Sequence, residues 1–312
     1  MHGKGKAFSN MTKKQIRGYR EFLYILPFLI LVLIFSYYPL YGWVYAFFDY
    51  RPPAPLSASK FVAFKWFKYM VENPTRLKKL LEVLRNTFAI SGISLFFSWF
   101  PMIFAIFLNE IKFTPYRKFV QTVTTLPNFI SWVLVFSVAY SIFNTEGVIS
   151  TIAVNNGWIS QPQNFLQSSE HVWFKMWLWL TWKNAGWAAI MYLAAITGID
   201  EELIEAAKVD GASRMKIIWH ITIPGILPTY FVLVMLNLAS FLNNGMEQYF
   251  VFRNQFNSDY INVLDLYVYD LSREIGGYPL STAFSILKSL VSIVLLFTTN
   301  YISKKIRGES II

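Results

Sequence analysis

The chain has 312 residues, of which 55% are hydrophobic, 19% aromatic and only 15% charged, a composition that excludes intrinsic disorder and sits badly with a water-soluble fold. It has no cysteine, which removes disulfides, thiolate nucleophiles and cysteine-held metal or iron–sulfur sites, and its three histidines (His2, His171, His220) are too scattered for a His-rich metal site. The formal net charge of +10 fits nucleic acid or a lipid surface equally, and only the placement of the basic residues decides between them.

A helix needs about 20 apolar residues to cross a bilayer, and six stretches in chain order meet that demand. The first lies between Glu21 and Asp49 and carries no charge, and the second runs from Asn86 to Asn109. The third follows Lys118 and ends at Phe143. The fourth covers roughly 172–199 and holds Lys175 and Lys183. The fifth covers 225–243, and the sixth covers 280–301 with Lys288 inside it. The sequence therefore predicts an all-α integral membrane protein with six transmembrane helices. The first stretch exceeds the roughly 7–15-residue apolar region of a signal peptide. It reads as a retained helix over 21–49, with Pro27 and Pro39 as kinks or irregular ends.

Orientation follows from lysine and arginine in the short connections. The segment 1–20 carries Lys4, Lys6, Lys13, Lys14, Arg17 and Arg20. With six spans the same side receives Lys112, Arg117 and Lys118, then Lys208, Arg214 and Lys216, then the tail 303–312 with Lys304, Lys305 and Arg307. Both termini are thus expected in the cytoplasm, and membrane lipid rather than nucleic acid accounts for the charge. The loop 50–85 dissents, with eight basic residues on the opposite side. There Leu77, Leu80, Leu81 and Leu84 share a helical face after Pro74, which predicts an interfacial helix along the headgroups.

The long cytoplasmic connection over 198–224 reads as two short helices. Asp200 is placed to cap the first, whose early turn is acidic, and Gly211 is placed to end it. Ser213 is placed to cap the second, and Pro224 and Pro228 mark re-entry into the membrane. On these features alone, an ordinary amphipathic hairpin and a docking element stand level. The residues Glu205-Ala206-Ala207, Gly211, Ile221 and Ile223-Pro224 resemble the EAA–x3–G–x9–I–x–L–P signature of permease subunits of binding-protein-dependent ABC importers, with isoleucine at 223 for leucine. The stretches 36–50, 108–122, 126–133, 185–200 and 245–250 resemble the polysaccharide and multiple-sugar permease branch.

That resemblance implies a type I ABC importer permease fold, with 86–302 as the core permease domain and 198–224 as a cytoplasmic coupling loop. Glu205, Ala206, Ala207, Asp210, Gly211 and Ala212 would dock on a separate ATPase dimer. The resemblance also implies a second permease subunit, identical to this one or, as is usual in the branch, a different chain, and an extracellular solute-binding protein. The substrate would be an oligosaccharide or polysaccharide, and the location the inner or plasma membrane of a bacterium. ATP and Mg would sit on the partner ATPase, with no cofactor on this chain, and the chain carries no G-x4-G-K-[ST] phosphate loop of its own.

Polar residues inside spans usually face a bundle interior or a watery cavity. Ser240, Asn243, Asn244 and Glu247 are spaced for one helical face at the outer end of the fifth span, with Gln248 one turn beyond Asn244. They are expected to hydrogen-bond sugar hydroxyls, against the alternative of interhelical polar packing. Lys183, Trp187, Asn128 and Trp132 are further pathway candidates. For Lys183, snorkelling or pairing with Glu247 stands beside contact with an acidic sugar. Trp173, Trp177 and Trp179 fit an interfacial aromatic belt. No catalytic constellation is present, so the chain is expected to be non-catalytic. The rival readings are an ABC permease for another solute and an ion-coupled secondary transporter; the latter wants an embedded carboxylate that only Glu247 offers.

Overall fold

The computed structural model describes residues 13–307, so Lys4, Lys6, His2 and the end of the expected tail, 308–312, lie outside the described residues. Its elements in order are α1 (Lys13–Val32), α2 (Lys65–Glu72), α3 (Pro74–Phe96), α4 (Phe100–Glu110) and α5 (Thr114–Thr125). There follow α6 (Trp132–Phe143), α7 (Val148–Asn155), α8 (Val172–Thr197), α9 (Glu201–Val209) and α10 (Arg214–Ile217). The last are α11 (Ile223–Ala239), α12 (Glu247–Phe252), α13 (Ser258–Ile261), α14 (Leu264–Arg273) and α15 (Tyr278–Arg307). No strand is formed among the described residues; the extended backbone makes a single antiparallel bridge, Phe48 with Phe61.

Among the described residues five helical runs are long and apolar enough to cross a membrane: Arg17–Phe47, Pro74–Glu110, Trp132–Asn155, Arg214–Ala239 and Tyr278–Lys305. The remaining expected span is α8, whose 26 residues make a rod of about 39 Å. Its tryptophans and its two lysines lower its hydropathy below that of the others. One side of α8 packs against α3, α4, α5 and α11, while Phe174, Leu178, Trp182, Trp187 and Met191 stay exposed. Its Ala189, Tyr192 and Ile196 pack with Met102, Ala105 and Ile106 of α4 and Ile226 of α11.

Proline sets several helix boundaries that hydropathy alone does not reveal. In the second span Pro101 removes an N–H, and its ring conflicts with the carbonyl four residues back. The span therefore breaks after Phe96 and restarts at Phe100. The third span, expected to be unbroken to Phe143, is interrupted at Leu126–Phe129, where Pro127 sits in a short 3-10 turn. Ser131 then caps α6 by accepting the Leu134 N–H at 3.4 Å. In the first span Pro27 is carried inside α1, whereas the helix widens over Leu33–Tyr37 and tightens over Tyr38–Phe47 around Pro39.

The interfacial helix expected within 50–85 is not a separate element. α3 runs without a break from Pro74 to Phe96, so the expected boundary at 85 falls inside a helix. The leucine face is the first three turns of that helix, with Leu80 against a core of Val83, Met70, Leu271 and Phe284. Four of the eight basic residues of this region, Arg51, Lys65, Arg76 and Lys79, pair with acids. Arg76 makes a bidentate pair with Glu274, just after α14, at 3.1 and 2.6 Å, and Lys79 meets Glu82 at 3.1 Å and Asp259 at 3.6 Å. Arg51 and Lys65 flank Asp49, and Arg85 donates to the Asp259 carbonyl while lying over the rings of Trp173 and Tyr260. Much of the dissenting charge is therefore locally neutralised.

Candidate functional site

A groove opens between α3, α4, α8 and α11, and continues toward the turn after α11. Its larger part has a volume of about 430 Å³, and the adjoining part about 250 Å³; Ser94, Leu180 and Asn237 belong to both. The larger part lies against the proline break of the second span, where Ser94, Phe97, Ser98 and Pro101 form one wall. α8 supplies Trp177, Thr181, Asn184 and Tyr192, and α11 supplies Leu233, Leu236 and Asn237. The smaller part is closed by Ser91, Ser240, Phe241, Asn243, Asn244 and Tyr249. The lining is thus hydroxyls, carboxamides, aromatic rings and aliphatic side chains, with no ionised group. Burial pushes the Tyr249 hydroxyl above the ordinary phenol value, so it too stays neutral. Such a surface can hydrogen-bond a hydroxyl-rich solute and stack its apolar faces. Among the described residues no group of three His, Asp or Glu is placed to hold a metal.

Ser240, Asn243 and Asn244 reach the groove, but not from one helical face. α11 ends at Ala239, the chain turns through residues 240–246, and Gly245 takes φ +72°. That left-handed conformation suits glycine and reverses the chain before α12. The turn is fastened to α3, since Ser91 Oγ donates to the Phe241 carbonyl at 2.6 Å and Asn244 Nδ2 donates to Ser91 Oγ at 2.8 Å. The Oδ1 atom of Asn244 and the Oγ atom of Ser94 are buried without a hydrogen-bond partner. Glu247 opens α12 and is exposed. Gln248 is buried as a packing group and donates to the Met176 carbonyl at 2.7 Å.

Lys183 does not snorkel. It is 7% exposed, and its ammonium donates to the carbonyls of Pro127 at 3.2 Å and Asn128 at 2.6 Å, over the ring of Trp132. In the 3-10 turn at Leu126–Phe129 the Pro127 carbonyl accepts only the Ile130 N–H from the backbone, at 3.3 Å; the lysine gives it a second donor and supplies one to the Asn128 carbonyl. Asn128 Nδ2 in turn donates to Asn184 Oδ1 at 2.8 Å, so Asn128 reaches the groove only through Asn184. Trp132 lies under Lys183, and Trp187 is half exposed and stacks edge-on with Phe129, so neither lines the groove. Trp177, expected in a belt, is instead buried against Phe97 with ring centroids 4.4 Å apart and faces the groove. Ser91, Ser94, Ser98, Thr181, Asn184 and Asn237 were not singled out by the sequence. Their signal is a polar residue recurring every three or four positions over 91–98 and on α8, with Asn237 one turn before Ser240 near the end of α11, which only helix packing assigns to one space.

The connection 198–224 folds as its caps dictate. Asp200 accepts the Glu202 N–H at 2.9 Å, and Glu201 and Glu202 occupy the first turn of α9. At the other end the Gly211 N–H bonds to the Lys208 carbonyl at 3.1 Å and the Ala212 N–H to the Ala207 carbonyl at 2.9 Å. With Gly211 at φ +75°, this is a Schellman termination. Ser213 then accepts the Lys216 N–H at 3.4 Å. α9 buries no residue; Glu205, Ala206, Asp210 and Gly211 are exposed, while Ala207 and Ala212 are half-buried. The same protruding loop exposes Leu203, Val209, Met215 and Trp219, with Val209 88% exposed. These four apolar residues were also missed by the sequence reading. From Arg214 the chain continues through a π-helical turn at Ile218–Thr222 into α11, giving one helical rod to Ala239. The loop and the groove-lining turn therefore cap opposite ends of a single element.

Residues 100–308 match the profile of a family described as "Binding-protein-dependent transport system inner membrane component". Over 294 residues the chain is 36% identical to "Protein LplB" of Bacillus subtilis (strain 168), covering 93% of this chain and 90% of that one. It is likewise 36% identical over 294 residues to the "Polygalacturonan/rhamnogalacturonan transport system permease protein YteP" of the same organism, covering 93% and 89%. Among solved structures it resembles a chain of a bacterial alginate ABC transporter in complex with an alginate pentasaccharide-bound periplasmic protein. That match has a TM-score of 0.81 at 30% identity and covers 96% of this chain and 98% of the other.

Proposed function

The chain belongs to the family of binding-protein-dependent transport system inner membrane components, the permease subunits of ABC importers, and we propose that it forms half of a translocation pathway for oligosaccharides or polysaccharides. The observation that carries this reading is the uncharged, hydroxyl- and carboxamide-lined groove joined by one helical rod to an exposed loop. Relatives named for polygalacturonan, rhamnogalacturonan and alginate support the same substrate class. A second permease, different from this chain, completes the pathway, and an extracellular solute-binding protein delivers the sugar. ATP and Mg reside on a separate ATPase dimer, and this chain is non-catalytic. The protein sits in the inner or plasma membrane of a bacterium with both termini in the cytoplasm.

In this reading Glu205, Ala206, Ala207, Asp210, Gly211 and Ala212 form the docking face of the loop. Leu203, Val209, Met215 and Trp219 add the apolar area that a stable contact with the ATPase needs. Closure of the ATPase dimer moves the loop, and the rod Arg214–Ala239 carries the displacement to the turn at 240–246. Substrate hydroxyls then exchange hydrogen bonds with Asn184, Asn237, Ser240, Asn243 and Asn244 as access alternates. The direct test uses the reconstituted four-component importer. Asn237→Leu with Asn244→Leu should abolish oligosaccharide-stimulated ATP hydrolysis while the complex still assembles; Glu205→Arg should release the ATPase. Stimulation unchanged in the first variant, or ATPase retained in the second, overturns the corresponding half of the reading.

A further inference from the structure

Lys288 lies inside α15, and Asp265 lies on α14; their side chains form an ion pair in which the lysine is 15% and the aspartate 20% exposed. Taking two charges out of water is expensive, and the attraction between them offsets this only when further hydrogen bonds satisfy the remaining lone pairs. Here the other carboxylate oxygen of Asp265 accepts the backbone N–H of Gly245 at 2.9 Å. Gly245 is the left-handed residue of the turn that follows α11 and directly succeeds Asn244. The turn is thus fixed on one side by Ser91 of α3 and on the other by Asp265 of α14, which Lys288 of α15 holds in place.

We propose that Asp265 is a positioning residue for the groove, clamping the Gly245 amide so that Asn243 and Asn244 face the solute, and that Lys288 serves to orient its carboxylate. The ion pair is then a support for a hydrogen-bond acceptor at one specified amide, and it rests on the reading of the groove as the sugar pathway. Two features favour a positioning role over plain packing. The turn has no helix ladder of its own between Ala239 and Glu247, so the Gly245 N–H depends on an outside acceptor. The clamp also acts one residue from Asn244, whose side chain lines the groove beside Tyr249.

Removing one charge alone would leave the other buried, so the test compares two neutral double variants. Asp265→Asn with Lys288→Leu keeps an acceptor for Gly245; Asp265→Leu with Lys288→Leu removes it at nearly the same volume. Because the chain has no cysteine, Leu242→Cys gives a single reporter in the turn, at a position only 4% exposed. In the assembled importer, maleimide labelling of that cysteine should be about fivefold faster in the Leu/Leu variant than in the Asn/Leu variant, which should match the native pair. The oligosaccharide concentration for half-maximal ATPase stimulation should rise by about the same factor. A net hydrogen bond of about 1 kcal/mol corresponds to that change. Equal labelling in the two variants overturns the proposal, as does failure of both to assemble, which would make the pair a folding requirement. If no oligosaccharide stimulates the native complex, the sugar reading fails while the labelling result still decides the clamp.

Discussion

Gly186 of α8 packs against the last turn of α5, and Gly186→Ala is the perturbation with the clearest expected effect. A Cβ at this position would lie 2.2 Å from the Thr124 carbonyl oxygen, 2.4 Å from its carbon and 2.8 Å from the Thr125 nitrogen. All three are backbone atoms, so no side chain can swing away, and the two segments must part by roughly 0.8 Å to reach even the shortest tolerated contact. Overpacking of this kind costs about 1–3 kcal/mol. The displacement also pulls Lys183, three residues earlier on α8, from the Pro127 and Asn128 carbonyls. Hydrogen bonds to a charged group contribute about 1.5–3 kcal/mol each. A total loss of at least ~3 kcal/mol follows, or a fall in Tm of roughly 6 °C or more for a chain of this size. Thermal unfolding of the detergent-solubilised complex, followed by the fraction remaining monodisperse, measures it. Gly92→Ala on α3 is the control, because nothing lies within 4 Å of its added Cβ. A Gly186→Ala complex melting within about 2 °C of the control refutes the close-approach argument.

Two further outcomes test other parts of the account. Lys183→Met leaves the Asn128 carbonyl without its donor and the Pro127 carbonyl with only the Ile130 N–H, so stability should fall by about 1–3 kcal/mol, and Lys183→Gln should fall between. Equal melting of the Met and Gln variants would show that the ammonium is not holding the turn. At Gly211 there is open space around the added Cβ but φ is +75°, so Gly211→Ala strains only the backbone, by about 1–2 kcal/mol, and Gly211→Asn by less. ATPase retention on affinity purification should therefore fall in the order Gly, Asn, Ala, and retention insensitive to all three would detach the Schellman turn from docking.

The sequence alone determined the class of this protein, because bilayer thickness converts directly into runs of apolar residues and capping chemistry is local. The helical connection with Asp200, Gly211 and Ser213 formed as its residues dictate, since each cap needs only neighbours two to five positions away. Proline likewise announced irregularity at Pro27 and Pro39, although only Pro39 sits where the helix changes. What the tertiary structure decided is which polar residues meet. Ser240, Asn243 and Asn244 do share a space, by a turn rather than a helical face, because α11 stops at Ala239. Lys183 has an isolated charge in sequence and two carbonyl partners in space, and those partners exist only because the chain breaks 55 residues earlier. Lys288 and Asp265 are 23 residues apart, and their ion pair depends on how α14 and α15 pack. The groove itself is made of small polar side chains spaced along α3, α8 and α11, and no one helix shows that these faces converge. Periodicity reports the face a residue lies on; the helix opposite that face is fixed by packing, and packing is a property of the whole chain.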